Sequence, residues 1–232
     1  MPNATSRRAA SPRPKPHGTR RAPLGEGVDL VLAAHASGQR PAPERPCLAV
    51  LGRSNVGKSS LLNAILGVEA ARVSATPGRT QALYWYRVED RFDLVDCPGY
   101  GWARTARDAR ERFAGLIEAF LTGEPAPRLA LLLVDGRLPP QDSDRSMALF
   151  LSRSGVPTVV VATKWDAVKP SVRVRQRRLL AAEYESPDRP LLTVSARTGE
   201  ALPGLAGLVR ERLAPRPRRG APAPQNVPSE ES

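Results

Sequence analysis

An apolar run, Cys47-Leu48-Ala49-Val50-Leu51, passes directly into Gly52-Arg53-Ser54-Asn55-Val56-Gly57-Lys58-Ser59 and then into Ser60-Leu61-Leu62-Asn63-Ala64-Ile65-Leu66. This is G-x-x-x-x-G-K-[ST] with a strand entering and a helix leaving, which confines the chain to α/β folds whose first core strand ends in a phosphate-binding loop. Gly52 and Gly57 let the backbone turn tightly, so that several amides converge on a β-phosphate beside the positive end of the helix. Lys58 is placed to reach the β- and γ-phosphates, and the Ser59 hydroxyl is a candidate magnesium ligand.

The rest of the chain alternates in the way a parallel sheet covered by helices requires. Strands are expected at 82–88, 92–96, 129–135, 158–162 and 191–194, and helices at 58–66, 105–121, 142–152, 171–184 and 202–213. The acidic turn Glu89-Asp90 is short enough to make the first two of those strands a hairpin. With the strand at Cys47 this gives a six-stranded, mostly parallel sheet with helices on both faces. Residues 27–37 read as a short helix using Val28, Leu30, Val31 and Ala34, and 67–79 as a mobile loop. Residues 1–23 and 214–232 are expected to be disordered tails around one domain at 24–213, because they hold too little apolar surface to offset their ordering entropy.

Three more motifs stand at strand ends. Asp96-Cys97-Pro98-Gly99 fits D-x-x-G, with Asp96 as a magnesium ligand acting through water and the Gly99 amide as a donor to a γ-phosphate. Thr163-Lys164-Trp165-Asp166 fits [NT]-K-x-D. The Asp166 carboxylate can accept from both the N1–H and the exocyclic amine of guanine, a pair of donors that adenine lacks, while the Lys164 stem covers the ring. Ser195-Ala196-Arg197 then offers a backbone amide to the guanine O6. Thr80, within Gly78-Arg79-Thr80-Gln81-Ala82, is the remaining magnesium candidate, preferred over Thr76 because it lies nearer the strand that anchors it.

Together with Pro77 before the switch threonine, Tyr100-Gly101 after D-x-x-G, and Thr198-Gly199-Glu200, these motifs resemble the EngB (YihA/YsxC) family of bacterial GTP-binding proteins. The resemblance spans about 41–213. It implies a small-GTPase-like P-loop fold and a GTP-hydrolysing switch assisting assembly of the large ribosomal subunit, linked to cell division and septation. The nucleotide contacts would come from 52–59, 78–82, 96–99, 163–166 and 195–197, and the metal ligands would be Ser59, Thr80 and Asp96. Asn55 is similar to the asparagine that holds a potassium ion in some related GTPases, so Lys58, Asn55 and Thr80 are the catalytic candidates. One position departs from many GTPases: Tyr100 follows D-x-x-G, where a glutamine often orients the attacking water. Slow intrinsic hydrolysis, stimulated by potassium or by the ribosome, is expected.

The formal net charge of +12 exceeds what a nucleotide pocket requires and points to a larger anionic partner. Ribosomal RNA is the expectation, met by the basic N-terminal arm and by Lys169, Arg173, Arg175, Arg177 and Arg178. With two cysteines, no metal-type spacing and no run of about 18 apolar residues, a monomer in the reducing cytoplasm with no membrane span is expected. The rival expectation is a nucleotide-gated binding module of the division machinery in which hydrolysis is incidental.

Overall fold

A computed structural model describes residues 22–25, 27–36, 39–42, 44–67, 82–100 and 107–214. The strands are β1 (Val28–Ala34), β2 (Cys47–Gly52), β3 (Leu83–Val88), β4 (Phe92–Asp96), β5 (Leu129–Asp135), β6 (Thr158–Thr163) and β7 (Leu191–Thr193). The helices are α1 (Lys58–Leu66), α2 (Arg107–Thr122), α3 (Asp142–Arg153), α4 (Pro170–Tyr184) and α5 (Leu202–Leu213), with a 3-10 turn at Trp165–Ala167. They form one seven-stranded sheet in the order β1-β3-β4-β2-β5-β6-β7. Pairing is antiparallel at β1/β3 and β3/β4 and parallel from β4 to β7, so β3 alone runs against the others.

Strands buried on both faces separate two apolar layers. Leu48 and Val50 of β2, with Leu129, Leu131 and Leu133 of β5, pack with α1 and α5. Their alternates Ala49, Leu51, Ala130 and Leu132 pack under Leu116, Ile117 and Phe120 of α2, Leu151 of α3 and Tyr184 of α4. The two-residue period thus serves two cores at once.

The segment expected to be a short helix at 27–37 is instead the edge strand β1, which raises the strand count from six to seven. Its register with β3 shifts between Leu30 and Leu32, and Val31 at that irregularity is 41% exposed. A bulge breaks the alternation of apolar residues, and the broken alternation looks like helical spacing in the sequence. Pairing there also covers the backbone edge that β3 would otherwise present. Just before it, Leu24 is buried and its amide donates to Ile65 O at 2.8 Å, at the end of α1. The expected tails at 1–23 and 214–232, apart from Ala22, Pro23 and Ala214, and most of the loop at 67–79 lie outside the described residues.

Both cysteines are free thiols. In α3, Leu149 is 50% exposed, whereas Asp144 is only 1% exposed.

Candidate nucleotide-binding site

The phosphate loop forms where β2 ends against the C-terminal ends of β4 and β5, a crevice typical of ligand sites in open α/β sheets. Asn55 at φ 63° and Gly57 at φ 103° take left-handed backbone conformations, and the chain then enters α1 at Lys58. Thr163 closes the loop from the far side, its hydroxyl donating to Val56 O at 2.5 Å. Lys164 Nζ donates to Asn55 O and to Asp135 Oδ2, the latter at 2.9 Å. The [NT]-K-x-D element is therefore tied directly to the phosphate loop.

Lys58 and Asp96 form a buried ion pair in which Nζ meets Oδ1. Burial raises the Asp96 pKa, and the neighbouring Lys58 charge only partly offsets it. The second oxygen, Asp96 Oδ2, is buried without a hydrogen-bond partner among the described residues. This orphaned anionic oxygen fits a magnesium site acting through a water molecule, and Ser59, the second residue of α1, would be the other protein ligand. Among the described residues no group of three or more His, Cys, Asp or Glu could hold a metal by itself. Phosphate and water oxygens would complete the shell, as magnesium usually requires.

Gly99 lies against the phosphate loop. A β-carbon there would stand 2.8 Å from Ser54 Oγ and 3.1 Å from Ser54 N, so only glycine permits this approach. Cys97 is fully buried with its side chain in the core, and Pro98 is buried, so the motif can offer a ligand only its Asp96 carboxylate and backbone. Arg53 turns away from the phosphate cradle, its Nε 3.1 Å from both carboxylate oxygens of Asp144. The Tyr100 hydroxyl donates to the same carboxylate at 3.1 Å.

The [NT]-K-x-D end of the crevice is already assembled. Asp166 accepts from Ser195 Oγ at 2.5 Å and from Arg197 Nε at 2.7 Å, and these two hydrogen bonds hold its pKa below the ordinary carboxylate value. It borders a cavity of about 270 Å³ whose lining includes Gly57, Lys164, Ala167 and Ala196. The Ser195 amide is engaged by Glu200 O, so the expected backbone donor to a base oxygen would be Ala196 rather than Ser195. The Trp165 ring packs into the core rather than into the cavity, and it seats the loop from below.

Asp135 is a site residue that the motifs do not reveal. It ends β5, takes Arg137 Nη2 at 2.8 Å as well as Lys164 Nζ, and is 5% exposed. Burial pushes its pKa up, but the hydrogen bonds from Arg137 and Lys164 outweigh this and bring it to about 2. A carboxylate closing an otherwise all-apolar strand is the one signal the sequence carries for it. Of the catalytic and metal candidates, Lys58, Asn55, Ser59 and Asp96 come together here, while Gly78, Arg79, Thr80 and Gln81 lie outside the described residues. Ala82 is buried at the head of β3.

Residues 47–164 match the family described as 50S ribosome-binding GTPase. The probable GTP-binding protein EngB of Latilactobacillus sakei is 41% identical over 175 residues, which cover 74% of this chain and 87% of that one. The chain belongs to the EngB family. A second member, from Thermotoga maritima, is 38% identical over 189 residues, covering 80% of this chain and 96% of its own. The crystal structure of a probable EngB superposes with a TM-score of 0.61 at 25% identity, covering 72% of this chain and 98% of that chain. Era shares the fold, with a TM-score of 0.55 at 18% identity over 78% of this chain and 60% of its own. Membership in EngB makes this a GTP-binding P-loop GTPase, and an α/β fold of that kind is what the sheet displays. Among the described residues, no helix is long and apolar enough to cross a membrane.

Proposed function

We propose that this GTPase acts as a monomeric cytoplasmic switch whose GTP form docks on a precursor of the large ribosomal subunit and assists its assembly, with a link to cell division and septation. The observation that carries the proposal is the convergence of a phosphate loop, an orphaned Asp96 oxygen and a carboxylate-lined base cavity in one crevice. Asp166 would accept from the guanine edge, Lys164 would cover the ring, and the amides of 52–59 with Lys58 would grip the phosphates. Magnesium, held by Ser59, Thr80 and, through water, Asp96, would supply charge neutralisation at the β- and γ-phosphates. Asn55, whose side chain is exposed at the loop, would help hold a potassium ion.

Ribosomal docking is supported by the description of the matching family and by the charge excess. The basic helix contributes less than its sequence suggests. Arg173 is taken up by Glu200 at 3.5 Å and by the carbonyls of Trp165 and Val168, and Arg177 by Glu185 at 3.1 Å. Lys169, Arg175 and Arg178 remain exposed for phosphates. The domain proper would span 24–213, with the basic arm before it.

Co-sedimentation with large-subunit particles tests the proposal. Pelleting with a non-hydrolysable GTP analogue but not with GDP is expected, and equal pelleting in both would overturn the switch. Single-turnover hydrolysis should run faster in potassium than in sodium buffer, and equal rates would remove Asn55 from the catalytic account.

A further inference from the structure

Asp144 lies outside every nucleotide motif, yet it is 1% exposed and it draws together two of them. It sits in the first turn of α3, where Arg53 of the phosphate loop and Tyr100 after D-x-x-G both close on its carboxylate. The backbones of those two residues also pair directly. Ser54 N donates to Tyr100 O at 3.1 Å and Tyr100 N to Gly52 O at 3.3 Å, so Gly99 is pressed onto Ser54. An acidic side chain this deep persists only where charged and hydrogen-bonding partners compensate its lost hydration. Both of the partners here come from segments that frame the phosphates.

We infer that Asp144 is a positioning residue for recognition of the terminal phosphate: through Tyr100 and Arg53 it holds Gly99 against the phosphate loop, favouring triphosphate over diphosphate. The Tyr100 phenol is thereby committed to α3, which explains how an aromatic side chain can follow D-x-x-G without orienting water. Preorganising the Gly99 amide removes an ordering cost that only a ligand with a γ-phosphate would otherwise bear. The diphosphate, which does not reach Gly99, gains nothing from the tether. This inference rests on the guanine-nucleotide site proposed above.

The test uses the full chain, with calorimetric titration of GDP and of a non-hydrolysable GTP analogue in magnesium and potassium buffer. Tyr100→Phe removes one hydroxyl and leaves the Arg53–Asp144 pair intact, so its melting temperature should stay close to that of the wild type. It should lower affinity for the analogue about fivefold and leave GDP within about twofold, the scale of one charge-assisted hydrogen bond partly backed up by backbone pairing. Asp144→Asn can still accept from the phenol but loses its charge pair with Arg53, and it should shift the same ratio in the same direction. An unchanged ratio in both variants, or an equal loss for both ligands, would mark Asp144 as purely structural and overturn the inference. Absence of guanine-nucleotide binding by the wild type would instead overturn the site itself, and the tether with it.

Discussion

The two ends of the nucleotide crevice treat their carboxylates in opposite ways. At the base end, Asp166 and Asp135 are held by Ser195, Arg197, Arg137 and Lys164, and both stay ionised more readily than a free aspartate. At the phosphate end, burial makes Asp96 harder to ionise, and one of its oxygens meets no donor among the described residues. One end is paired from protein groups alone, whereas the other leaves a carboxylate oxygen that the proposed cation and phosphates would engage. Under the proposed function, selectivity for the base would be built in advance and the response to the phosphate state left to the ligand.

The largest effect should come from breaking the assembled end. Asp166→Asn replaces one acceptor with a donor that guanine cannot satisfy, so GDP affinity should fall roughly 10³- to 10⁴-fold while xanthosine diphosphate gains, as measured by competition binding. Next, Lys58→Ala should cost roughly 10² in GTP affinity by removing a charge-assisted contact. It also strands the Asp96 charge. Because a raised carboxyl pKa makes the ionised form the costly one, the nucleotide-free variant should be destabilised at neutral pH and recover stability as the pH falls and Asp96 takes up a proton. Thermal melts at two pH values check this.

The smallest effect separates the ends most sharply. Asp135 has a pKa of about 2 against an ordinary 3.8, so its contribution to stability is full above that ordinary value and is lost as the pH falls toward 2. That contribution is about 2 kcal/mol. Asp135→Asn should flatten acid unfolding between those values and weaken GDP binding roughly fivefold by loosening Lys164. An unaltered acid limb would mean that Lys164 and Arg137 do not hold the carboxylate as described.

Much of this architecture can be read from the chain because its determinants are local. A Gly-rich turn between an apolar strand and a helix, or a carboxylate two residues after a lysine at a strand end, needs no distant partner to be recognised. Helices α1 and α5 fall where periodicity places them for the same reason. What stays hidden depends on contacts between remote residues. Asp144 meets Arg53 across 91 positions and Lys164 meets Asp135 across 29, and nothing in the local sequence marks either pair. Strand β1 is obscured by its own irregularity at Val31, and the arginines of α4 look unpaired only because Glu200 and Glu185 lie beyond the helix.

The two apolar layers either side of the sheet carry a mechanical consequence. Helix α1, which begins with Lys58 and Ser59, beds in one layer, while α2, which follows D-x-x-G, beds in the other. Strands filled on both faces stand between them like a bulkhead. A shift of α2 would therefore leave the packing under α1 undisturbed, so under the proposed function the outward shape could change while the phosphate loop stayed seated.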